Sequence, residues 1–313
     1  MTPSSILFLL VGFVALILGA DLAVRAAVAA ARRLGVSTLV IGLTLVALGT
    51  SAPEFVVALI AVMHGSSDIV MGNVIGSNIA NIGLILGVAA LLAPLVVVPS
   101  LLRREGPFLI VITGLWFLLT LDLVFGREDA LIYLGVLVVG GVLYVRAARA
   151  EIEASSSTED EGDPWSTLKI GVVLVLGIAI LVGGGELLVG AAIDIARDLG
   201  VSERVIGLTI VALGTSLPEL ATSVMAAIRG HADLSIGNVI GSNIMNLLII
   251  LGVSGMLLPL DVAERFQSVD VPLSLFLAVL VLILARRGRL GRLSGAIFLS
   301  IYLGYMVLTA LGG

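Results

Sequence analysis

The 313 residues contain no cysteine and only two histidines. Disulfide bridges and thiolate metal sites are therefore excluded, and no cysteine pattern marks an oxidising or a reducing compartment. Charge is scarce as well. Asp, Glu, Lys and Arg make up 12% of the chain, about half the share of a soluble domain. The basic residues are too few and too scattered to form a nucleic-acid face. None precedes Arg25, so the first segment lacks the basic start of a signal peptide and reads as a retained helix. What remains is 59% hydrophobic, with a mean hydropathy of +1.21. Such a surface must face lipid or other helices, which makes this a polytopic membrane protein. The net charge of −5 carries little weight, because six acidic residues fall in one stretch, Glu151 to Asp163.

Ten apolar segments approach the length needed to cross a bilayer: 4–24, 38–62, 69–93, 107–124, 130–147, 168–189, 203–227, 234–258, 271–285 and 293–311. Between the fifth and sixth lies "ARAEIEASSSTEDEGDPWS", rich in Ser and acids, which reads as a solvated linker. The chain thus divides into residues 1–147, a linker at 148–167, and residues 168–313. With the N-terminus outside, 13 of the 17 basic residues fall on inner loops. The positive-inside rule then predicts a cell-membrane protein with both termini outside and the linker in the cytoplasm.

The two halves repeat. "GLTLVALGTSAPE" (Gly42–Glu54) matches "GLTIVALGTSLPE" (Gly207–Glu219) at 11 of 13 positions, at a shift of 165. The same shift aligns "GNVIGSNIANIGLILG" (Gly72–Gly87) with "GNVIGSNIMNLLIILG" (Gly237–Gly252) at 12 of 16. It also pairs Asp21 with Glu186. Five spans per half is an odd number, so the second half enters from the opposite side. The predicted fold is all-α, with ten transmembrane helices as two inverted five-helix repeats and discontinuous helices meeting at the midplane.

The first block puts a break and a charge where lipid tolerates neither. Pro53 has no N–H, so the Gly49 carbonyl loses its helical partner. Freed carbonyls are tolerable only against protein, water or a ligand. Thr50 and Glu54 are four residues apart and share one helix face. A hydroxyl, a carboxylate and bare carbonyls make the oxygen set of a hard cation such as Ca²⁺ or Na⁺. A mid-helix acid costs about 2.5–3.5 kcal/mol on insertion scales. Glu54 and Glu219 both bear that cost, with no matching basic residue within the apolar spans to neutralise them. In the second block Asn73, Ser77 and Asn81 form a stripe that Asn238, Ser242 and Asn246 repeat. Such a stripe faces a cavity or a partner helix. For Asn73 and Asn238, packing with Gly72 and Gly76 is an equal alternative. Asp21 and Glu186 lie toward span ends and read as local pairing groups, and His64 and His231 as loop residues. "GGGE" (Gly183–Glu186) reads as close helix packing, and Arg286 to Arg292 as an inner-face anchor to anionic lipid.

"GTSAPE" and "GTSLPE", followed by the twin "GNVIGSN" segments, resemble the repeats of the cation/Ca²⁺ exchanger superfamily, above all its prokaryotic sodium/calcium exchangers. The resemblance covers essentially the whole chain. It implies a core of the second, third, seventh and eighth helices around clustered cation sites, with the first and sixth helices sliding across it. It implies Glu54 and Glu219 as shared carboxylates, with Thr50 and Thr215 coordinating through hydroxyl and carbonyl. Ser51, Ser77, Ser216 and Ser242 would serve flanking Na⁺ sites with the carbonyls of Ala47 and Ala212, and Asn81 and Asn246 would line the centre. Some relatives carry aspartate at the position of Asn246. Its absence leaves a central charge of −2 and argues against potassium co-transport. The short linker leaves no room for the regulatory Ca²⁺-binding domains of the animal exchangers.

The expected function is Na⁺/Ca²⁺ antiport, with Ca²⁺ and Na⁺ as transported ligands, no cofactor, no enzymatic activity and no obligatory protein partner beside the lipid bilayer. The nearest alternative is H⁺/Ca²⁺ antiport on the same glutamates. An intramembrane hydrolase would need no inverted symmetry, and a passive channel would need no counter-ion.

Overall fold

A computed structural model describes residues 3–155, 165–200 and 212–312. They are almost wholly helical. α1 (Pro3–Leu34) is 32 residues long, about 48 Å at 1.5 Å per residue. Arg32 and Arg33 lie in its last turn, and Gly35 closes it with a positive φ of 66°, a common helix stop. α2 (Thr38–Thr50) and α3 (Ala52–Met63) meet at a 46° bend. α4 (Ser67–Leu92) is followed by the two-residue strand β1 (Leu95–Val96). A π turn at Leu101–Glu105 leads into α5 (Gly106–Leu119). Then come β2 (Val124–Phe125), α6 (Arg127–Ser155) and α7 (Thr167–Asp198). α8 (Ala212–Gly214) and α9 (Leu217–Ile228) form a second interrupted pair. α10 (Ala232–Leu257), β3 (Leu260–Asp261), α11 (Phe266–Ala285), β4 (Arg289–Leu290) and α12 (Arg292–Gly312) complete the order.

Among the described residues seven helices are long and apolar enough to cross a membrane, or eight if the bent α2–α3 pair is one span. The fourth expected span falls on the π turn and α5 and the seventh on α8 and α9, none of which is among those seven or eight; residues 201–211 lie outside the described residues. Of the linker expected at 148–167, residues 156–164 lie outside the described residues, and α6 runs through 148–155. Alanine, arginine and glutamate dominate that stretch, and a helix already nucleated in the span extends readily through such residues.

α4 and α10 form the centre. Their most apolar stretches are 78% and 72% buried, against 11% for α6 and 17% for α12. α1 and α7 pack along each other on the outside. Glycines let their backbones touch: a Cβ on Gly19 would lie 2.4 Å from Leu181 N, and one on Gly184 2.7 Å from Leu16 N. The remaining α1 surface exposes Leu7, Phe8, Phe13 and Leu18, an apolar face suited to lipid. α2 lies equally close to α10, where a Cβ on Gly241 would meet Leu43 O at 2.6 Å. The packing role considered for Gly72 is thus met by its counterpart Gly237, whose Cβ would lie 2.7 Å from Leu39 O.

The shift of 165 governs the contacts as well as the sequence. β1 pairs antiparallel with β4, Leu95 opposite Leu290. β2 pairs with β3, Phe125 opposite Leu260. Adding 165 to Leu95 gives Leu260, and subtracting it from Leu290 gives Phe125, so each ribbon is the image of the other. Both join the first half to the second.

Candidate cation site

The two broken segments are built alike. α2 ends as the Ser51 N–H donates to the Ala47 carbonyl at 2.9 Å, and α3 restarts as Phe55 N–H donates to the Ser51 carbonyl at 3.1 Å. Pro53 stands in the first turn of α3, where a missing N–H removes no helical bond. Glu54 is the acid of that turn, where the helix dipole favours a carboxylate. Pro218 and Glu219 occupy the same places in α9. A Cβ on Gly49 would lie 2.3 Å from Ile178 Cδ1 on α7, so that side chain would have to shift.

Each break donates to the other's carboxylate. Ser51 Oγ donates to Glu219 Oε1 at 3.0 Å, and Ser216 Oγ to Glu54 Oε1 at 3.4 Å. The carboxylates are close enough to repel one another. Both residues are 1% exposed, yet among the described residues Glu54 Oε2 and Glu219 Oε2 have no hydrogen-bond partner. A buried carboxylate oxygen without a donor is costly unless a cation or proton completes it. Thr215 also faces Glu54, while Thr50 and Ser242 face Glu219. Ser77 Oγ lies 3.5 Å from Ser216 Oγ. Thr50 Oγ1 lies 3.4 Å from the Ala47 carbonyl and 3.2 Å from Asn238 Oδ1.

An amide lattice joins α4 to α10 beneath this pair. Asn78 Nδ2 donates to the Asn243 carbonyl at 3.3 Å, and Asn243 Nδ2 returns the bond to the Asn78 carbonyl at 3.2 Å. Asn81 Nδ2 donates to Asn243 Oδ1 at 2.8 Å, and Asn246 Nδ2 to Asn78 Oδ1 at 3.0 Å. The nitrogens of Asn81 and Asn246 are thereby used, and the Oδ1 atom of each is left buried without a partner. Both residues begin π turns, Asn81–Leu86 and Asn246–Leu251, a distortion often found at functional sites.

The structure therefore brings Thr50, Ser51, Glu54, Ser77, Thr215, Ser216, Glu219 and Ser242 to one place, while Asn81 and Asn246 sit in the amide lattice, in turns that pack against α9 and α3. Ala47 is adjacent, its carbonyl accepting from Ser51. Ala212 begins α8, and its side chain lies outside the described residues. Asn73 Nδ2 donates to the Glu54 carbonyl at 2.9 Å, and Asn238 Nδ2 to the Glu219 carbonyl at 3.5 Å and Ser223 Oγ at 3.0 Å. These two thus brace the acid-bearing turns. Asn78 and Asn243 had no assigned role in the sequence, although both recur at the shift of 165 inside "GNVIGSN" and stand three residues before Asn81 and Asn246. Asp21 pairs with Arg25 and Arg229, rather than only locally.

Among the described residues no three His, Cys, Asp or Glu side chains converge. The acids here are thus the two carboxylates, and the side chains that bond to them, Thr50, Ser51, Thr215, Ser216 and Ser242, carry neutral hydroxyl oxygens. That set suits hard monovalent or divalent cations and not soft transition metals. A multi-pass helical protein that buries such a cage between its two halves is an ion-translocating membrane protein.

Residues 4–146 and 169–311 both match the family model described as sodium/calcium exchanger protein, and the chain belongs to that family. It is 41% identical to the putative antiporter CaxA of Alkalimonas amylolytica over 310 residues, covering 96% of this chain and 97% of that protein. It is 36% identical to the sodium/calcium exchanger MaX1 of Methanosarcina acetivorans, covering 98% and 99%. Its fold superposes on the sodium-calcium exchanger NCX_Mj, soaked with zero Na⁺ and Ca²⁺, with a TM-score of 0.84, 31% identity and coverage of 99% and 100%.

Proposed function

We propose that this protein is a Na⁺/Ca²⁺ antiporter of the cell membrane that extrudes Ca²⁺ on an inward Na⁺ gradient by alternating access. One observation carries the reading: Glu54 and Glu219, fully buried, accept crossed hydroxyl bonds on one oxygen each and leave the other without a partner. One Ca²⁺ or several Na⁺ can occupy that cage, because both satisfy the same two charges with different geometry. The empty cage, with two bare carboxylates closed off from water, resists crossing, which enforces exchange over leak. Glu54 and Glu219 serve both ions in this reading. Thr50 and Thr215 join them, Ser51, Ser77, Ser216 and Ser242 serve flanking Na⁺, and Asn81 and Asn246 line the centre, with the carbonyls of Ala47 and Ala212.

The ten-span inverted topology, with both termini outside, draws support from the ribbons. β1 and β4 lie in loops assigned to the inside, and β2 and β3 in loops assigned to the outside. Three Na⁺ per Ca²⁺ suits the energetics. A tenfold gradient is worth about 1.4 kcal/mol per Na⁺, and 100 mV about 2.3. Three Na⁺ supply about 11 kcal/mol against about 4.6 for moving the Ca²⁺ charge outward, which leaves enough for a Ca²⁺ ratio of four to five decades. Two would support about two decades.

The test is ⁴⁵Ca²⁺ uptake into Na⁺-loaded proteoliposomes. Uptake is expected to require internal Na⁺ and to vanish in Glu54→Gln and in Glu219→Gln. Uptake driven by a pH gradient without Na⁺ would establish H⁺/Ca²⁺ exchange instead.

A further inference from the structure

Asp21 on α1 is held by two arginines. Arg25 Nε, one turn along the same helix, lies 2.8 Å from Oδ2. Arg229 Nη2 lies 2.5 Å from Oδ1. Arg229 caps the end of α9, so the second bond ties α1 to the core. Under the shift of 165, Asp21 becomes Glu186 on α7, and Arg229 becomes His64, the cap of α3. The two caps share a backbone shape. His64 has φ −94° and ψ 1°, Arg229 φ −77° and ψ 0°, and each precedes a glycine of positive φ, Gly65 or Gly230.

The image bond is nevertheless open. Glu186 is exposed and makes no ion pair among the described residues, while His64 Nδ1 is spent on the Ile60 carbonyl at 2.8 Å. The strand ribbons, the serine–glutamate pairs and the asparagine lattice are each made twice. This contact is made once. The packing follows the same asymmetry. Leu16 and Ala20 of α1 rest against Leu217, Ala221 and Met225 of α9, whereas α7 makes no comparable contact with α3.

We propose that Asp21–Arg229 and Glu186–His64 are alternate latches, one closing the inner side and the other the outer side, and that only one is engaged at a time. The inference rests on the alternating-access reading above. As α1 and α7 slide, the Asp21 bond opens and Glu186 reaches the His64 imidazole. The lengths compensate: glutamate is one methylene longer than aspartate, and the imidazole is shorter than the arginine arm it replaces. Arg25 has Gly190 as its counterpart, so the outer latch lacks the second cation. The structure describes the state in which the Asp21 latch is engaged.

The absence of native cysteine permits a direct test. Asp21→Cys with Arg229→Cys, and His64→Cys with Glu186→Cys, are made in the full chain in proteoliposomes and treated with a short thiol-bridging reagent. The first pair is expected to link at rest, the second only when Na⁺ and Ca²⁺ gradients drive turnover. Each link stops ⁴⁵Ca²⁺ exchange, and a variant with all four cysteines never carries both. A second pair that stays unlinked during turnover, or both links in one molecule, overturns the proposal. Because paired cysteines can impair folding, Asp21→Asn and Glu186→Gln give a second reading. They should move the apparent KM for Ca²⁺ at the inner and outer faces in opposite directions, by about two- to five-fold, as for loss of one exposed ion pair. Equal movement in both variants refutes the latches. Wild-type vesicles without Na⁺-dependent Ca²⁺ flux refute the proposed function instead.

Discussion

Asn78 and Asn243 fix how the side-chain amides of Asn246 and Asn81 are turned. Each offers its own Oδ1 to a neighbour's amide nitrogen. Asn78→Ala frees the Asn246 amide to turn its nitrogen toward the cage, where a donor repels a cation. We expect the KM for Ca²⁺ to rise about ten- to a hundred-fold, the usual cost of losing an outer-shell partner, while the protein still folds. A Ca²⁺ titration of uptake in vesicles measures this, and an unchanged KM contradicts the role. At this scale Glu54 and Glu219 were legible because an acid in an apolar run has so few cheap explanations. Asn78 was not. Asparagine is ordinary in a packed polar seam, and its orienting role depends on a partner 165 residues away.

Among the elements, the breaks at Ser51 and Ser216 were legible from proline alone. The π turns at Asn81 and Asn246 were not, because no residue type marks a helix that widens by one residue per turn. The length of α6 was misjudged for a different reason: composition signals where lipid ends, whereas helix propensity decides where the helix ends. Glycine contacts give the sharpest prediction here. Gly19→Val pushes two methyl groups into the α7 backbone at Leu181. It should lower Tm in detergent by several degrees, with a destabilisation of about 1–3 kcal/mol, and it should also slow exchange. Gly171→Ala, at a position with open space, should change neither. Equal melting curves for all three proteins would show that α1 and α7 are not closely engaged.

For the molecule as a whole, two matched blocks at one shift made the internal repeat legible, and the ribbons repeat at that same shift. The contacts between halves were illegible, because nothing in "LV" or "RL" announces that β1 and β4 pair. The distribution of arginine assigns sides, so a single cysteine introduced at Ser157 should react with an impermeant maleimide only from the cytoplasmic face. Labelling from outside would invert the topology.

The ribbons carry one more consequence. Because β1–β4 and β2–β3 both cross from one half to the other, at opposite ends of the molecule, the covalent thread between α6 and α7 is redundant once assembly is complete. Severing the gene there and co-producing the fragments should reconstitute a working transporter, recoverable through a tag on either piece.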